Sequence, residues 1–253
     1  MATRQIDNTN TLQRINDYPR VLAGLYDEIW GEAPYISQCI AVADELPGSI
    51  LDVGCGTGAL TIPLLAKGRN VVGIDVSKAL LIVCAAKCKK QGISPHLIHG
   101  DISAFENRRT FDNVFCVGYT LQHLTTRFEI KKLLGQISSI TRKNGRLVVD
   151  FYDPGKLDTF HYEWKTILET TRESDSITVD KRITLIDYDN NIKKQKYRVT
   201  ISCPGRISEV HEFEHSYFLS AKPCFEKILS DCRLRLETSF QISSSEWLYQ
   251  LSI

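Results

Sequence analysis

The chain has 253 residues, 43% of them apolar and 24% charged. That length suits one α/β domain, or one domain with a sizeable insert, and it can bury a core without disulfides or metal. Lys and Arg number 31 against 30 Asp and Glu, and the net charge of +1 excludes a globally basic nucleic-acid binder while leaving a local patch open.

Met1 to Tyr18 is polar and lacks the apolar region of a secretory signal, and no apolar run approaches the roughly 18 residues of a spanning helix. None of the eight cysteines is spaced C-x-x-C or set among histidines at zinc spacing. The expectation is a reduced, cytoplasmic chain, monomer or homodimer, with no metal and no membrane contact.

Residues 1–20 read as a polar arm. Val21 to Leu46 has a helical pattern broken at Gly31 and Pro34, and Pro47-Gly48 ends it. Strands and helices then alternate: strand Ile50–Val53, helix Ala59–Lys67, strand Asn70–Ile74, helix Lys78–Gln91, strand His96–His99, strand Asn113–Val117, helix Phe128–Thr141, strand Arg146–Phe151. This order predicts a doubly wound, mostly parallel sheet with its ligand at the C-terminal strand ends. Three β runs follow, Ile177–Asp187, Ile192–Ser202 and Ile207–Leu219, turned at Asp189-Asn190-Asn191 and Pro204-Gly205. Helix Ala221–Cys232 and strand Leu234–Ile242 then resume the alternation. The predicted organisation is a helical arm or cap over 1–48, a core over 49–155, a β-rich insert forming a lid over 156–219, and C-terminal elements completing the core over 220–253.

The informative stretch is Ile50-Leu51-Asp52-Val53-Gly54-Cys55-Gly56-Thr57-Gly58-Ala59, a strand, alternating glycines and a helix start. Such glycines allow a tight turn and close approach of a ligand to the backbone. Gly54-x-Gly56-x-x-Ala59 also fits the looser dinucleotide pattern, which alone is weak evidence. Three carboxylates narrow the reading. Asp52 beside the turn suits a ligand with an ammonium group and repels a pyrophosphate. Asp75, ending the next strand before Val76, suits ribose hydroxyls. Asp101, in Gly100-Asp101-Ile102, suits an adenine amino group.

In these segments the chain resembles the class I S-adenosylmethionine-dependent methyltransferases. The resemblance covers Ser49 to about Asp153: LDVGCGTG is similar to the family's first motif, GIDVS to its second, HLIHGDISAF to the adenine-contacting segment, and FDNVFCVGYTLQHL and ITRKNGRLVVDFYDP to the fourth and fifth strands. It implies a Rossmann-like sheet of seven strands and S-adenosyl-L-methionine as cofactor. Cofactor contacts are expected from Asp52, Gly54, Cys55, Gly56, Gly58, Asp75, Val76, Asp101, Ile102 and Val117, and from Tyr26 in a Tyr26-Asp27 pair like that of related small-molecule methyltransferases. Tyr18 and Trp30 join Tyr26 as aromatics placed to close over the methionine end.

Gly118-Tyr119-Thr120-Leu121-Gln122-His123 lacks the Asn/Asp/Ser-Pro-Pro-aromatic tetrad of enzymes that methylate planar amides or base nitrogens. His123, read as lying where the following helix begins, is the candidate base or acceptor-orienting group, with Tyr119 as the second catalytic candidate or pocket wall. Glu209, His211, Phe213 and His215 share one strand face, and His211 and His215 read either as facing a bound substrate or as lying on a solvated face, the second slightly favoured. Arg127, Lys131 and Lys132, and the cluster of Lys181, Arg182, Lys193, Lys194, Lys196 and Arg198, read as solvated faces or as a grip on phosphate. The expected activity is methyl transfer to N or O of a small-molecule acceptor. The competing readings are an RNA or protein methyltransferase of the same fold, an NAD-dependent oxidoreductase, and a cofactor-binding protein without catalysis.

Overall fold

The computed structural model describes residues 20–31, 35–105, 111–153 and 162–253. Tyr18 and most of the expected N-terminal arm lie outside them. Two helices precede the sheet, α1 (Arg20–Trp30) and α2 (Tyr35–Glu45). The alternating region gives β1 (Ile50–Val53), α3 (Thr61–Ala66), β2 (Val71–Asp75), α4 (Lys78–Lys90), β3 (His96–His99), β4 (Phe111–Cys116), α5 (Arg127–Ile140) and β5 (Thr141–Tyr152). A short 3-10 turn, Thr120–His123, sits between β4 and α5. The remainder is β6 (Lys165–Arg172), β7 (Asp175–Asp187), β8 (Ile192–Ser202), β9 (Glu209–Phe218), α6 (Lys222–Asp231), β10 (Arg235–Gln241) and β11 (Glu246–Ser252).

Seven strands form one sheet in the order β10-β11-β5-β4-β1-β2-β3. β1 to β5 are mutually parallel, whereas β11 runs antiparallel to β5 and β10 antiparallel to β11. The chain leaves β1 toward β2 on one side and returns as β4 on the other, which opens a crevice at the C-terminal ends of β1 and β4, where open α/β sheets bind ligands. All four residues of β1 are buried, as expected of a strand covered on both faces. Leu51 and Val53 pack toward α5 and α6, while Ile50 packs with Val148 toward α2 and α3. The two-residue period of a strand therefore sends Asp52 and Asp150 toward the α2–α3 side as well. Capping fixes the helices that follow the strands. Ser77 Oγ accepts from Leu80 N–H at the start of α4, and Thr126 and Glu129 form a reciprocal capping box on α5.

The other sheet is antiparallel, β6-β7-β8-β9. It has four strands where the sequence predicted three. Lys165–Arg172 was not singled out because it is an edge strand with few buried side chains and hence no apolar alternation. A second correction concerns the C-terminus: β10 does not resume the parallel alternation but forms an edge hairpin with β11, which lies between it and β5.

α1 joins the two sheets. Its Leu22 and Leu25 pack on Ile177, Val179 and Val199 of the second sheet. Arg172 of β6 donates to Gly24 O at 2.8 Å and pairs with Glu28. On its other edge Asp27 accepts from Thr57 Oγ1 at 2.6 Å and pairs with Lys87 of α4 at 2.8 Å. Among the described residues no helix is long and apolar enough to cross a membrane.

Candidate active site

The three glycines of the turn after β1 all have positive φ: 74° at Gly54, 54° at Gly56 and 88° at Gly58. Their surroundings differ. A Cβ at Gly54 would lie 2.4 Å from Thr120 Oγ1, and one at Gly58 would lie 2.6 Å from Cys84 Sγ. At Gly56 it would meet nothing nearer than 4.0 Å. Gly54 and Gly58 are therefore closure glycines, and Gly56 faces the open side of the turn. The side chain of Cys55 is buried beneath Gly73, so only its backbone borders the crevice.

Asp75 ends β2 with one carboxylate oxygen on the glycine turn and the other on the start of α4: Oδ2 accepts from Gly56 N–H at 2.8 Å and Oδ1 from Ser77 N–H at 2.7 Å. Burial raises its pKa, and the two backbone bonds oppose that rise. Asp101 follows β3 and is half-buried, as is Val76, whose carbonyl lies 3.2 Å from His99 Nε2. Ile102 is in the core, and Val117, just past β4, is buried with its carbonyl accepting from Thr120 Oγ1 at 2.7 Å. Asp52 is 2% exposed and accepts from Thr61 Oγ1 at 2.6 Å. Burial pushes its pKa up to about 7. It thus lies beneath the turn, tied to the start of α3, and not beside the turn in water.

A second buried carboxylate shapes the turn after β4. Asp150 of β5 is 1% exposed and accepts from Gly118 N–H at 2.8 Å and from Tyr119 N–H at 3.0 Å. Burial pushes it up to about 7, against the pull of these bonds. Tyr119 is held at φ 58°, a conformation costly for a residue with a side chain and sustained here by the carboxylate. Its ring stands edge-on to Tyr35 and Tyr152, and its hydroxyl donates to Glu246 of β11. The sequence signal for Asp150 was available as a carboxylate inside the apolar run Leu147–Phe151, but it carried no assigned role.

His123 ends the 3-10 turn and precedes α5 by four residues, a correction to its predicted place at the helix start. The side chain of Gln122 anchors the turn: Nε2 donates to Tyr152 O and Phe218 O, and Oε1 accepts from Tyr152 N–H. The His123 ring lies 4.9 Å from Tyr217 and 6.2 Å from His215, centroid to centroid. Burial lowers His123 to about 4, with His215 adding to the effect, and burial lowers His215 to about 4. His215 is 6% exposed, which overturns its placement on a solvated face; His211, four residues earlier, lies near Glu209. Tyr26 and Trp30 of α1 pack at 4.6 Å, and Trp30 continues to Tyr197 at 6.0 Å. Burial pushes Tyr26 up to about 12, with Asp75 the next contributor. The tertiary structure thus gathers Tyr26, Trp30, Tyr197, His215, Tyr217 and His123 above the strand ends. Among the described residues no group of His, Cys, Asp or Glu is placed to hold a metal ion.

Residues 50–145 match the family model described as a methyltransferase domain. This segment is a methyltransferase domain of the class I type. The domain is 29% identical over 140 residues to a putative methyltransferase of Geobacillus, covering 53% of this chain and 57% of that protein. The chain spans little more than half the length of the curated relatives it matches. Solved structures extend the fold likeness beyond the domain. An S-adenosylmethionine-dependent methyltransferase from Clostridium acetobutylicum superposes with TM-score 0.72 at 19% identity, over 92% of this chain and 98% of that one. An amino pentose methyltransferase from Micromonospora echinaspora, solved with S-adenosylmethionine bound, gives 0.69 at 18%, over 94% and 98%.

Proposed function

We propose that the protein transfers the methyl group of S-adenosyl-L-methionine to an amine nitrogen of a small-molecule acceptor. The observation that carries this reading is the carboxylate-lined turn at the switch point: Asp75 on the Gly56 amide, Asp101 one strand over and Asp52 buried beneath. Such a set of acceptors fits a nucleoside with a cationic tail and is hostile to a pyrophosphate, which weighs against a nicotinamide cofactor. Bound there, S-adenosylmethionine supplies a methyl on a sulfonium, a leaving group that needs no activation. In this reading Asp75 takes the ribose hydroxyls, Asp101 with Val76 and Ile102 borders the adenine, and the backbone of Gly54, Cys55, Gly56 and Gly58 borders the tail. Asp52 acts through Thr61, Val117 forms a wall, and Tyr26 closes the methionine end.

The remaining work is positioning and exclusion of water. Tyr26 and Trp30 cover the crevice from α1. Asp150 fixes the Gly118–Tyr119 turn and so the wall facing the acceptor. A side chain with a pKa near 4 is a weak base, so His123 is suited to orient an acceptor by one hydrogen bond and poorly suited to deprotonate a hydroxyl. That contrast favours an amine, which attacks as its free base and then releases its proton. The likeness to an amino pentose methyltransferase supports the same choice. The second sheet serves as the acceptor-side lid, because His215 and Tyr217 meet His123 there.

Calorimetry with S-adenosylhomocysteine tests the cofactor half. Binding is expected, with Asp75→Ala weakening it by about tenfold or more, the loss of a charge-assisted hydrogen bond costing ~1.5–3 kcal/mol. Tight NADH binding with no response to S-adenosylhomocysteine would overturn the reading.

A further inference from the structure

Lys181, Arg182, Lys193, Lys194, Lys196 and Arg198 form one cluster in sequence, but the second sheet divides them between its faces. Strand alternation puts Lys181 and Lys193 on the face that carries Val179, Gln195, Tyr197, Val199, His215 and Tyr217, the face turned toward α1 and His123. Lys181 stands opposite Tyr197, and Lys193 stands opposite Tyr217. The other four point outward, and each is engaged. Lys194 pairs with Glu214 at 3.7 Å, Lys196 with Glu212 at 2.6 Å and Arg198 with Glu212 at 2.8 Å. Arg182 and Arg198 lie over the Trp164 ring at 4.6 and 4.0 Å.

The inner pair differs. Among the described residues no ion pair is formed by either Lys181 or Lys193, and each is half-buried. The charges near them add to the cost: Lys165 lies opposite Lys181 on β6 and acts on it, and Lys181 acts on Lys193. Burial with like-charge repulsion lowers both amines, Lys193 to about 8. Half-buried cations that feel like charges and form no ion pair among the described residues are unfavourable unless an anion joins them. The position is informative too. Tyr217 faces His123 and Lys193 faces Tyr217, so Lys193 lies one side chain beyond the proposed reaction end, with Lys181 farther along the same face beside Tyr197.

We propose that Lys181 and Lys193 form an oxyanion subsite that holds a phosphate or carboxylate carried by the methyl acceptor. The subsite rests on the reading of the second sheet as the acceptor-side lid. It makes the acceptor bifunctional, with a nucleophilic amine at His123 and an anionic group farther along the inner face. Two ammonium groups can clasp such an anion from two sides by charge-assisted hydrogen bonds.

Titration with inorganic phosphate and with acetate, followed by calorimetry on the full chain, reads the subsite without turnover. Binding of at least one anion is expected, weakened about tenfold or more in the Lys181→Met/Lys193→Met double variant. The outer control Lys194→Met/Lys196→Met is expected to stay within about twofold of the parent, and arginine at both inner positions to restore binding. S-adenosylhomocysteine affinity and circular dichroism on the same samples show that the variants are folded. No anion binding by the parent, unchanged binding in the inner variant, or an equal loss in the outer one overturns the subsite. Inhibition of methyl transfer by phosphate, competitive with the acceptor, supports an acceptor-borne anion; phosphate binding that leaves transfer unaffected overturns that part. Absent S-adenosylhomocysteine binding by the parent would instead strike the methyltransferase reading, while the anion titration would still decide the subsite.

Discussion

At the residue scale the site is a set of polar groups whose protonation is set mainly by burial. His123 and His215 are neutral at neutral pH because burial penalises the imidazolium. Their folded pKa values lie below the unfolded value, so the stability they contribute is present above about pH 6.5 and is lost as pH falls toward about 4. Thermal melts from pH 7 to pH 4 are therefore expected to show a shallower loss in His215→Gln than in the parent; an identical slope would mean that His215 is not buried neutral. Asp52 and Asp150 work in the opposite sense. Their raised values give stability that is full below about pH 4 and lost as pH rises through about 7. Asp150→Asn removes that cost but also exchanges a charged acceptor for a neutral one at Tyr119. The expected outcome is a stable protein with slower transfer and nearly unchanged cofactor affinity, read by single-turnover kinetics beside calorimetry. For His123→Asn, a drop in single-turnover rate of less than about a hundredfold across pH 6–9 is expected of an orienting group. A larger drop, with folding and cofactor binding intact, would point to a hydroxyl acceptor and a general base.

At the element scale, α1 and the 3-10 turn connect the second sheet to the cofactor crevice. α1 presents Leu22 and Leu25 to that sheet and Asp27 to Thr57 and Lys87, so one helix touches the lid and the glycine turn. Asp27→Ala removes both polar links while leaving the apolar face in place. Faster amide exchange in residues 20–31 and a weaker S-adenosylhomocysteine complex are expected. Unchanged exchange would show that the apolar face alone fixes the helix. Gln122 is the matching link on the opposite side of the crevice, because its amide bonds the end of β5 and the end of β9 together. Gln122→Ala leaves buried backbone groups of both strands unpaired, at a cost of about 1–3 kcal/mol each by the usual desolvation penalty. Urea unfolding is the measure, and a change below about 0.5 kcal/mol would show that water replaces the amide.

Across the whole molecule, the two sheets share no strand pairing, and the proposed acceptor side lies between them. The central strands β1 and β4 are buried on both faces, whereas β6 is a largely exposed edge. Hydrogen exchange is expected to leave β1 and β4 protected to the level of global unfolding, with β6 exchanging earlier through local opening. Uniform protection across both sheets would argue that lid and core open as one cooperative unit.

The sequence by itself determined the parallel core. Its signals are local: apolar runs of strand length, helical periods between them, and glycines placed where only positive φ allows the turn. The placement of Asp75 and Asp101 was legible for the same reason, Asp75 ending β2 and Asp101 standing two residues past β3, both at C-terminal strand ends. Asp150 and Gln122 carried no such signal, and the sequence left His215 between a bound substrate and a solvated face, since their contacts join elements distant in the chain: β5 with the turn after β4, and that turn with β9. The order of β10 and β11 and the exposed strand β6 were equally hidden, because edge strands lack the burial that produces an apolar pattern. The division of the six basic residues came from register. A run of cations carries no face until strand alternation and the pairing of β7, β8 and β9 send Lys181 and Lys193 inward and the other four outward.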